Sequence, residues 1–165
     1  MEYPWISPWS INCVMNETQR QSCVLLDVNV WIALLDPWHV HHEMAHRWFY
    51  QHQHRCWASC PLIQNAVLRI LGNPLYPNSP GDPASVACLL ATWLSHPKHH
   101  FWPDGISLLD AQLVNASQLQ NHSQITDSYL LALAVHHGGQ LATLDARLSP
   151  AAVPGGDKAL SLILE

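Results

Sequence analysis

Three aspartates stand where apolar segments of the chain end or begin. Asp27 and Asp145 each follow a run of mostly apolar residues, and Asp127 begins an apolar stretch that runs to residue 135. An ionised carboxylate at the edge of a hydrophobic core needs partners or a cation, because its desolvation alone is very unfavourable. Mg²⁺ prefers hard oxygen ligands and lowers the pKa of water beside a phosphodiester. Together the three aspartates predict a site for a divalent cation.

Each aspartate also has a purely structural explanation. Asp27 could begin a turn, and Asp127 could complement the dipole at a helix N-terminus. Asp145 could open the turn Asp145-Ala146-Arg147. Only their joint position, at the ends of elements that meet in one sheet, favours the metal site.

The composition indicates one domain of low charge. The chain has 165 residues, of which 48% are hydrophobic and 12% charged, with a formal net charge of -5. Only 7 residues are Lys or Arg, which gives no clustered basic surface for non-specific nucleic-acid binding. The five cysteines show no zinc or disulfide spacing, so they predict reduced thiols in the cytoplasm. No apolar run reaches the roughly 20 residues that would predict a membrane span.

The order of apolar runs and turn residues predicts the fold class. Residues 1–21 lack any helix or strand period and predict a disordered leader, followed by one domain at 22–165. Strands are predicted at 23–27, 56–59, 99–102, 140–144 and 159–164. Helices are predicted at 39–53, 61–71, 83–95 and 111–120, and from Thr126, as N-cap, to His137. This alternation predicts an α/β fold with a central parallel β-sheet flanked by helices on both faces, in which ligands bind at the carboxyl ends of strands.

Three ordered segments resemble the signature blocks of PIN domains. They are Leu26-Asp27-Val28-Asn29-Val30, Thr126-Asp127-Ser128-Tyr129-Leu130 and Leu141-Ala142-Thr143-Leu144-Asp145. The resemblance is strongest to the VapC toxins of bacterial type II toxin–antitoxin modules. It implies a PIN-like fold and a metal-dependent endoribonuclease with Mg²⁺ or Mn²⁺, an RNA substrate, a cognate antitoxin and a homodimer. Apolar residues of the third predicted helix, Leu89, Leu90 and Trp93, are candidates for the dimer contact.

The resemblance also implies the residues of the site. Asp27, Asp127 and Asp145 would hold the metal, and Asn65, near the position of the family's second acidic residue, would complete this catalytic shell. Side chains expected to support the carboxylates are Asn29, Thr126, Ser128 and Thr143. The chain has no glutamate near residue 65, and Glu43, Asp104 and Asp110 are the candidates for a substitute charge. The second hypothesis is therefore a catalytically weakened or inactive relative that keeps antitoxin binding.

A different metal motif is present at residues 42–46. His42-Glu43-Met44-Ala45-His46 matches H-E-x-x-H, in which two histidines one helical turn apart bind zinc and the glutamate acts as base. A zinc metalloprotease is thus a remote alternative. The downstream histidines show no fixed spacing for a third ligand, which favours a helix face rich in histidine instead.

Overall fold

A computed structural model describes residues 23–164, which form a parallel sheet covered by helices. The five strands are β1 (Val24–Leu26), β2 (Trp57–Ser59), β3 (His99–Phe101), β4 (Gln140–Thr143) and β5 (Leu160–Leu162). Their order in the sheet is β3-β2-β1-β4-β5, and every neighbouring pair is parallel. The predicted α/β class with a central parallel sheet is confirmed.

Within residues 23–164, six α-helices connect or follow the strands. They are α1 (Val28–Leu35), α2 (His42–Gln51), α3 (Pro61–Leu71), α4 (Pro83–Leu94), α5 (Ile125–His136) and α6 (Gly156–Ala159). Two short 3-10 helices, Ala116–Gln118 and His122–Gln124, precede α5. No helix of the described residues is long and apolar enough to cross a membrane.

The strand order changes direction between β1 and β4. From β1 the chain moves outward to β2 and β3, and then returns to the other side of β1 to form β4 and β5. The two central strands are in register with Leu26 opposite Ala142, so that both end at the same edge of the sheet. Such a switch point leaves an open crevice at the carboxyl ends of the strands. Asp27 follows β1 directly at this edge.

Several element boundaries differ from the prediction. The first long predicted helix, 39–53, is shorter and spans His42–Gln51. No helix covers 111–120: this segment consists of turns and the 3-10 helix Ala116–Gln118. Thr126 is not the N-cap of α5, because the helix begins at Ile125 directly after a 3-10 turn. The predicted N-terminal leader lies outside the described residues.

The core contains residues that were predicted to form a dimer surface. The Trp31 ring lies 5.5 Å from that of Trp57 and 6.0 Å from that of Trp93, both in edge-on contact. Leu90 is 4% exposed, and Leu89 and Trp93 pack against the core as half-buried side chains. The chain's own core therefore covers Leu90 and part of Leu89 and Trp93, and the predicted dimer contact through this helix stays a prediction.

Candidate active site

Asp27 is a buried carboxylate that both ends β1 and caps α1. Its Oδ1 accepts a hydrogen bond from the Val28 backbone N at 2.6 Å, and its Oδ2 accepts one from Thr143 Oγ1, also at 2.6 Å. The side chain sits at the N-terminus of α1, where the helix dipole favours an anion. Burial raises the pKa of this carboxyl group, although the hydrogen bonds from Thr143 and Val28 oppose the shift.

Thr143 joins the ends of the two central strands. Its hydroxyl donates to Asp27 and accepts hydrogen bonds from Asn29 Nδ2 at 3.0 Å and from the Asp145 backbone N at 3.1 Å. The side-chain oxygen of Asn29 accepts from the Leu144 backbone N at 3.1 Å. Two residues predicted to support the carboxylates, Asn29 and Thr143, therefore fix Asp27 relative to the start of the Asp145 loop.

Asp127 lies in the first turn of α5 and is half-buried. Burial raises its pKa to about 6, and the charges of Asp27 and Asp145 add to this shift, whereas Arg147 opposes it. The charge of Asp127 is therefore sensitive to the charges of the other two aspartates. Of the other two predicted supports, Thr126 is exposed and Ser128 is buried within α5.

A cleft opens beside two of the aspartates. Its lining residues are Asn121, Ser123, Gln124, Asp127, Asp145 and Arg147. Four of these, all polar, were not predicted from the sequence. The signal that could have indicated them is the segment Asn121-His122-Ser123, because Asn121 Oδ1 accepts from the Ser123 backbone N at 3.0 Å and shapes the turn before α5.

Comparison with known proteins identifies the family. The PIN domain model matches residues 24–154. The chain belongs to the PIN-domain family. It is 45% identical over 134 residues to Ribonuclease VapC44 of Mycobacterium tuberculosis. The aligned residues cover 81% of this chain and 94% of the relative. The chain is 40% identical over 131 residues to Ribonuclease VapC39 of the same organism, covering 79% and 94%. The predicted VapC-type PIN domain is confirmed.

A solved structure shares the fold of this PIN domain. It is the crystal structure of VapBC2 from Rickettsia felis bound to a DNA fragment from their promoter. The TM-score is 0.55 at 11% sequence identity, and the match covers 85% of this chain and 98% of the other. At this level of identity the likeness supports the fold alone.

Two amides, Gln64 and Asn65, lie on α3 near the position predicted for the family's second acid. Asn65 is exposed, whereas its neighbour Gln64 is half-buried and its Nε2 donates to Ser59 Oγ at 3.0 Å. Ser59 is fully buried at the carboxyl end of β2, and its Oγ lies 2.8 Å from His99 Nε2. Burial lowers the pKa of His99 to about 4, so this ring is neutral at pH 7. Gln64, one residue before the predicted Asn65, is thus the amide that faces the sheet edge of the PIN domain.

Asp104 brings a further carboxylate near this edge. It follows β3 and interacts with the Cys60 thiol and the Tyr129 hydroxyl. Burial raises the pKa of Tyr129 to about 12, and the charge of Asp104 contributes to the shift. Among the acids considered as substitutes, Asp110 accepts from the Gln112 backbone N at 2.9 Å, and Glu43 is exposed on α2.

The carboxylates fit a hard divalent cation chemically but do not form a ready-made cage. Within residues 23–164, no group of three His, Cys, Asp or Glu side chains is close enough to hold one metal ion. Mg²⁺ in proteins commonly takes one or two carboxylates and fills its remaining positions with water and phosphate oxygens. A cation would also relieve the repulsion from Asp27 and Asp145, which adds to the effect of burial on the pKa of Asp127. The residues therefore fit a cation held by one or two aspartates directly and by the rest through water.

The H-E-x-x-H segment has a structural role. His42 Nδ1 lies 2.8 Å from the Ala33 carbonyl oxygen, and His46 Nε2 lies 3.0 Å from that of Leu34. These carbonyls belong to the last turn of α1, which has no intrahelical partners for them. The two rings therefore cap α1 and join it to α2. The Nε2 of His46 that a zinc ion would need is engaged in this contact, whereas His42 uses only its Nδ1. Because no third His, Cys, Asp or Glu joins them in a metal-binding group among residues 23–164, the zinc alternative is not retained.

Proposed function

We propose that this PIN domain is the endoribonuclease toxin of a type II toxin–antitoxin pair. It hydrolyses RNA phosphodiesters with Mg²⁺ or Mn²⁺ at the crevice between β1 and β4. The observation that carries the proposal is the Thr143 hydroxyl bridge, which holds the buried Asp27 against the Asp145 loop. The relatives named Ribonuclease VapC support the enzyme class.

Each residue of the site would have a separate role. Asp27, Asp127 and Asp145 hold the cation, directly or through water, while Thr143 and Asn29 keep the Asp27 carboxylate in one orientation. Thr126 and Ser128 remain proposed supports of Asp127. The bound cation would activate a water and offset the charge that develops on the phosphate. The polar residues of the cleft, with Asn121 and Gln124 among them, would contact the RNA backbone.

RNA cleavage tests this function. The purified full chain should cleave a mixed RNA substrate with Mn²⁺ and stop when the cation is chelated. Asp145→Asn should lower the rate by about 100-fold or more, because it removes a ligand charge. Asp157→Asn is the matched control, since Asp157 is an exposed aspartate of α6 outside the cleft. Equal rates for the two variants would contradict the proposal.

The second candidate is an inactive or weakened relative that keeps antitoxin binding. It is favoured by the amides Gln64 and Asn65 where the family has an acid. If the enzyme is active, the Gln64→Glu variant should cleave RNA faster than wild type does. The gain should exceed that of Asn65→Glu, because only Gln64 faces Ser59. Activity that appears only in Gln64→Glu and is absent from wild type would establish the second candidate instead.

We also propose the partners and location that accompany such a toxin. They are an RNA substrate, a cognate antitoxin protein, a homodimer and the cytoplasm. Membership of the PIN-domain family and similarity to the VapC relatives support the antitoxin partner. Co-purification with the product of an adjacent small gene, and inhibition of RNA cleavage by that product, would test it.

A further inference from the structure

Arg147 covers the carboxylate of Asp145 with its own guanidinium group. Its Nε donates to Asp145 Oδ1 at 3.0 Å, and its Nη2 donates to Oδ2 at 3.1 Å. The Arg147 backbone N also donates to Oδ1 at 2.9 Å. Arg147 therefore donates hydrogen bonds to both carboxylate oxygens of Asp145, which is one of the proposed metal ligands.

The backbone of Arg147 is held, while its side chain faces solvent. The Gln124 amide donates to the Arg147 carbonyl oxygen at 3.0 Å, so the residue is tied to the turn before α5. Its side chain is 89% exposed, against 30% for Asp145. An ion pair between exposed groups is weak, because water competes for both. The guanidinium can therefore leave Asp145 while its backbone stays in place.

The same guanidinium is the cation of the cleft. Arg147 is the only Lys or Arg that lines the cleft among the described residues, and its charge acts on Asp127 as well as on Asp145. A phosphate that enters a cleft with three aspartates meets strong repulsion unless positive charge is present. Arginine suits phosphate as well as carboxylate, because its planar fork donates two parallel hydrogen bonds to either.

A divalent cation and the guanidinium compete for the same oxygens of Asp145. We propose that Arg147 has two positions: it covers Asp145 in the metal-free protein, and it binds a phosphate of the RNA once a divalent cation has taken the Asp145 carboxylate. This inference rests on the proposed function, since both the cation and the RNA belong to it. The exchange gives each anion a cationic partner at every stage: the carboxylate first has Arg147 and then the metal, and the phosphate receives Arg147.

Arg147→Gln tests both positions, with effects of opposite sign. Without RNA, calorimetric titration with Mn²⁺ should give a dissociation constant about two- to fivefold lower than that of wild type, because the competing guanidinium is absent. With Ca²⁺ as the divalent cation, fluorescence anisotropy of a labelled single-stranded RNA should show about fivefold weaker binding or more. The salt dependence of RNA binding should fall by about 0.7 in log–log slope, as expected for one lost phosphate contact.

Two further variants make the result specific. Arg47→Gln removes an exposed arginine of α2 outside the cleft and should change neither affinity. Arg147→Lys keeps the charge without the fork, so it should restore the salt slope but only part of the RNA affinity.

The possible failures are distinguishable. A wild-type protein that binds Mn²⁺ and cleaves RNA, together with an Arg147→Gln variant unchanged in both affinities, would overturn the role of Arg147 alone. A tighter metal affinity without any change in RNA binding would also overturn it. A wild-type protein that neither binds Mn²⁺ nor cleaves RNA would overturn the proposed function, and the role of Arg147 with it.

Discussion

One hydroxyl group, that of Thr143, connects three parts of the candidate site. It donates to Asp27 and accepts from Asn29 and from the Asp145 backbone, and the side chain is fully buried. From the sequence, Thr143 was predicted as a support, because it stands at the end of a strand in the third signature block. Arg147 was not, because its contact with Asp145 depends on the shape of a turn rather than on an apolar pattern.

Thr143→Val should destabilise the protein by about 1–3 kcal/mol, because the buried Asp27 carboxylate loses a donor and two other groups lose an acceptor. Urea unfolding at neutral pH measures this loss. The control is Thr92→Val, since Thr92 is an exposed residue of α4 whose hydroxyl donates to the Cys88 carbonyl oxygen. That variant should stay within about 0.5 kcal/mol of wild type. Similar values for both variants would show that the Thr143 bridge contributes nothing to stability.

The raised pKa of Asp127 predicts a pH dependence of stability. Because its folded pKa is about 6 against an ordinary value of 3.8, the folded chain binds more protons than the unfolded chain between these values. This contribution to stability is present below about pH 4 and is lost as the pH rises through about 6. In metal-free buffer, Asp127→Asn should therefore gain stability relative to wild type from pH 4 to pH 7. A difference that does not change with pH, measured by urea unfolding, would contradict the raised pKa of Asp127.

At the scale of elements, strands were easier to predict than the ends and faces of helices. The apolar run before Asp27 predicts a buried strand, and β1 is fully buried. The choice between Gln64 and Asn65 depends on the start of α3, because each residue turns the helix by about 100°. The structure begins α3 at Pro61 and leaves Asn65 exposed. The spacing of motifs in the sequence is therefore not accurate enough to choose between two adjacent residues such as Gln64 and Asn65.

The predicted helix at 111–120 does not form, because side chains just before and within it bind nearby backbone N–H groups. Asp110 Oδ1 accepts from the Gln112 backbone N at 2.9 Å, and Asn115 Oδ1 accepts from that of Ser117 at 3.2 Å. Such short-range hydrogen bonds compete with helical ones and favour turns. The leucines of this segment gave a partial apolar period, but these two side chains break the helix.

Asp36 ties two connecting segments together and gives a prediction at this scale. This buried carboxylate, 2% exposed, accepts from the Tyr76 hydroxyl at 2.6 Å and from Asn78 Nδ2 at 3.0 Å. Tyr76→Phe should cost about 1.5–3 kcal/mol, the usual range for a hydrogen bond to a charged group. Tyr50→Phe, at a tyrosine that is 71% exposed, is the control and should have almost no effect in the same urea titration. A loss below about 0.5 kcal/mol in Tyr76→Phe would show that Asp36 does not depend on this contact.

At the scale of the whole molecule, the fold class followed from alternation of strands and helices, and the parallel sheet confirms it. The assembly state does not follow in the same way. The apolar residues of α4 suggested a dimer surface, but the Trp93 ring packs 5.4 Å from Phe49 and 6.0 Å from Trp31 inside one chain. An apolar residue on a helix does not indicate whether its own chain or a partner covers it.

A homodimer remains a prediction. Light scattering of the purified full chain at micromolar concentration should give twice the chain mass of 18.5 kDa. A single species at the chain mass across a range of concentrations would rule the homodimer out. Since Leu90 is buried and the half-buried Trp93 packs against the core, substitutions at these positions should affect folding before they affect assembly.

The central claim is that three aspartates form one cation site, and the melting temperature as a function of Mn²⁺ tests it most directly. A cation that binds only the folded state stabilises it by about 2.7 kcal/mol at a concentration 100 times the dissociation constant. The melting temperature of wild type should therefore rise as Mn²⁺ is added. Asp27→Asn removes a ligand and part of the repulsion, so it should be at least as stable as wild type without metal and should gain nothing from Mn²⁺. Equal shifts in the two proteins, or no shift in wild type, would contradict the account.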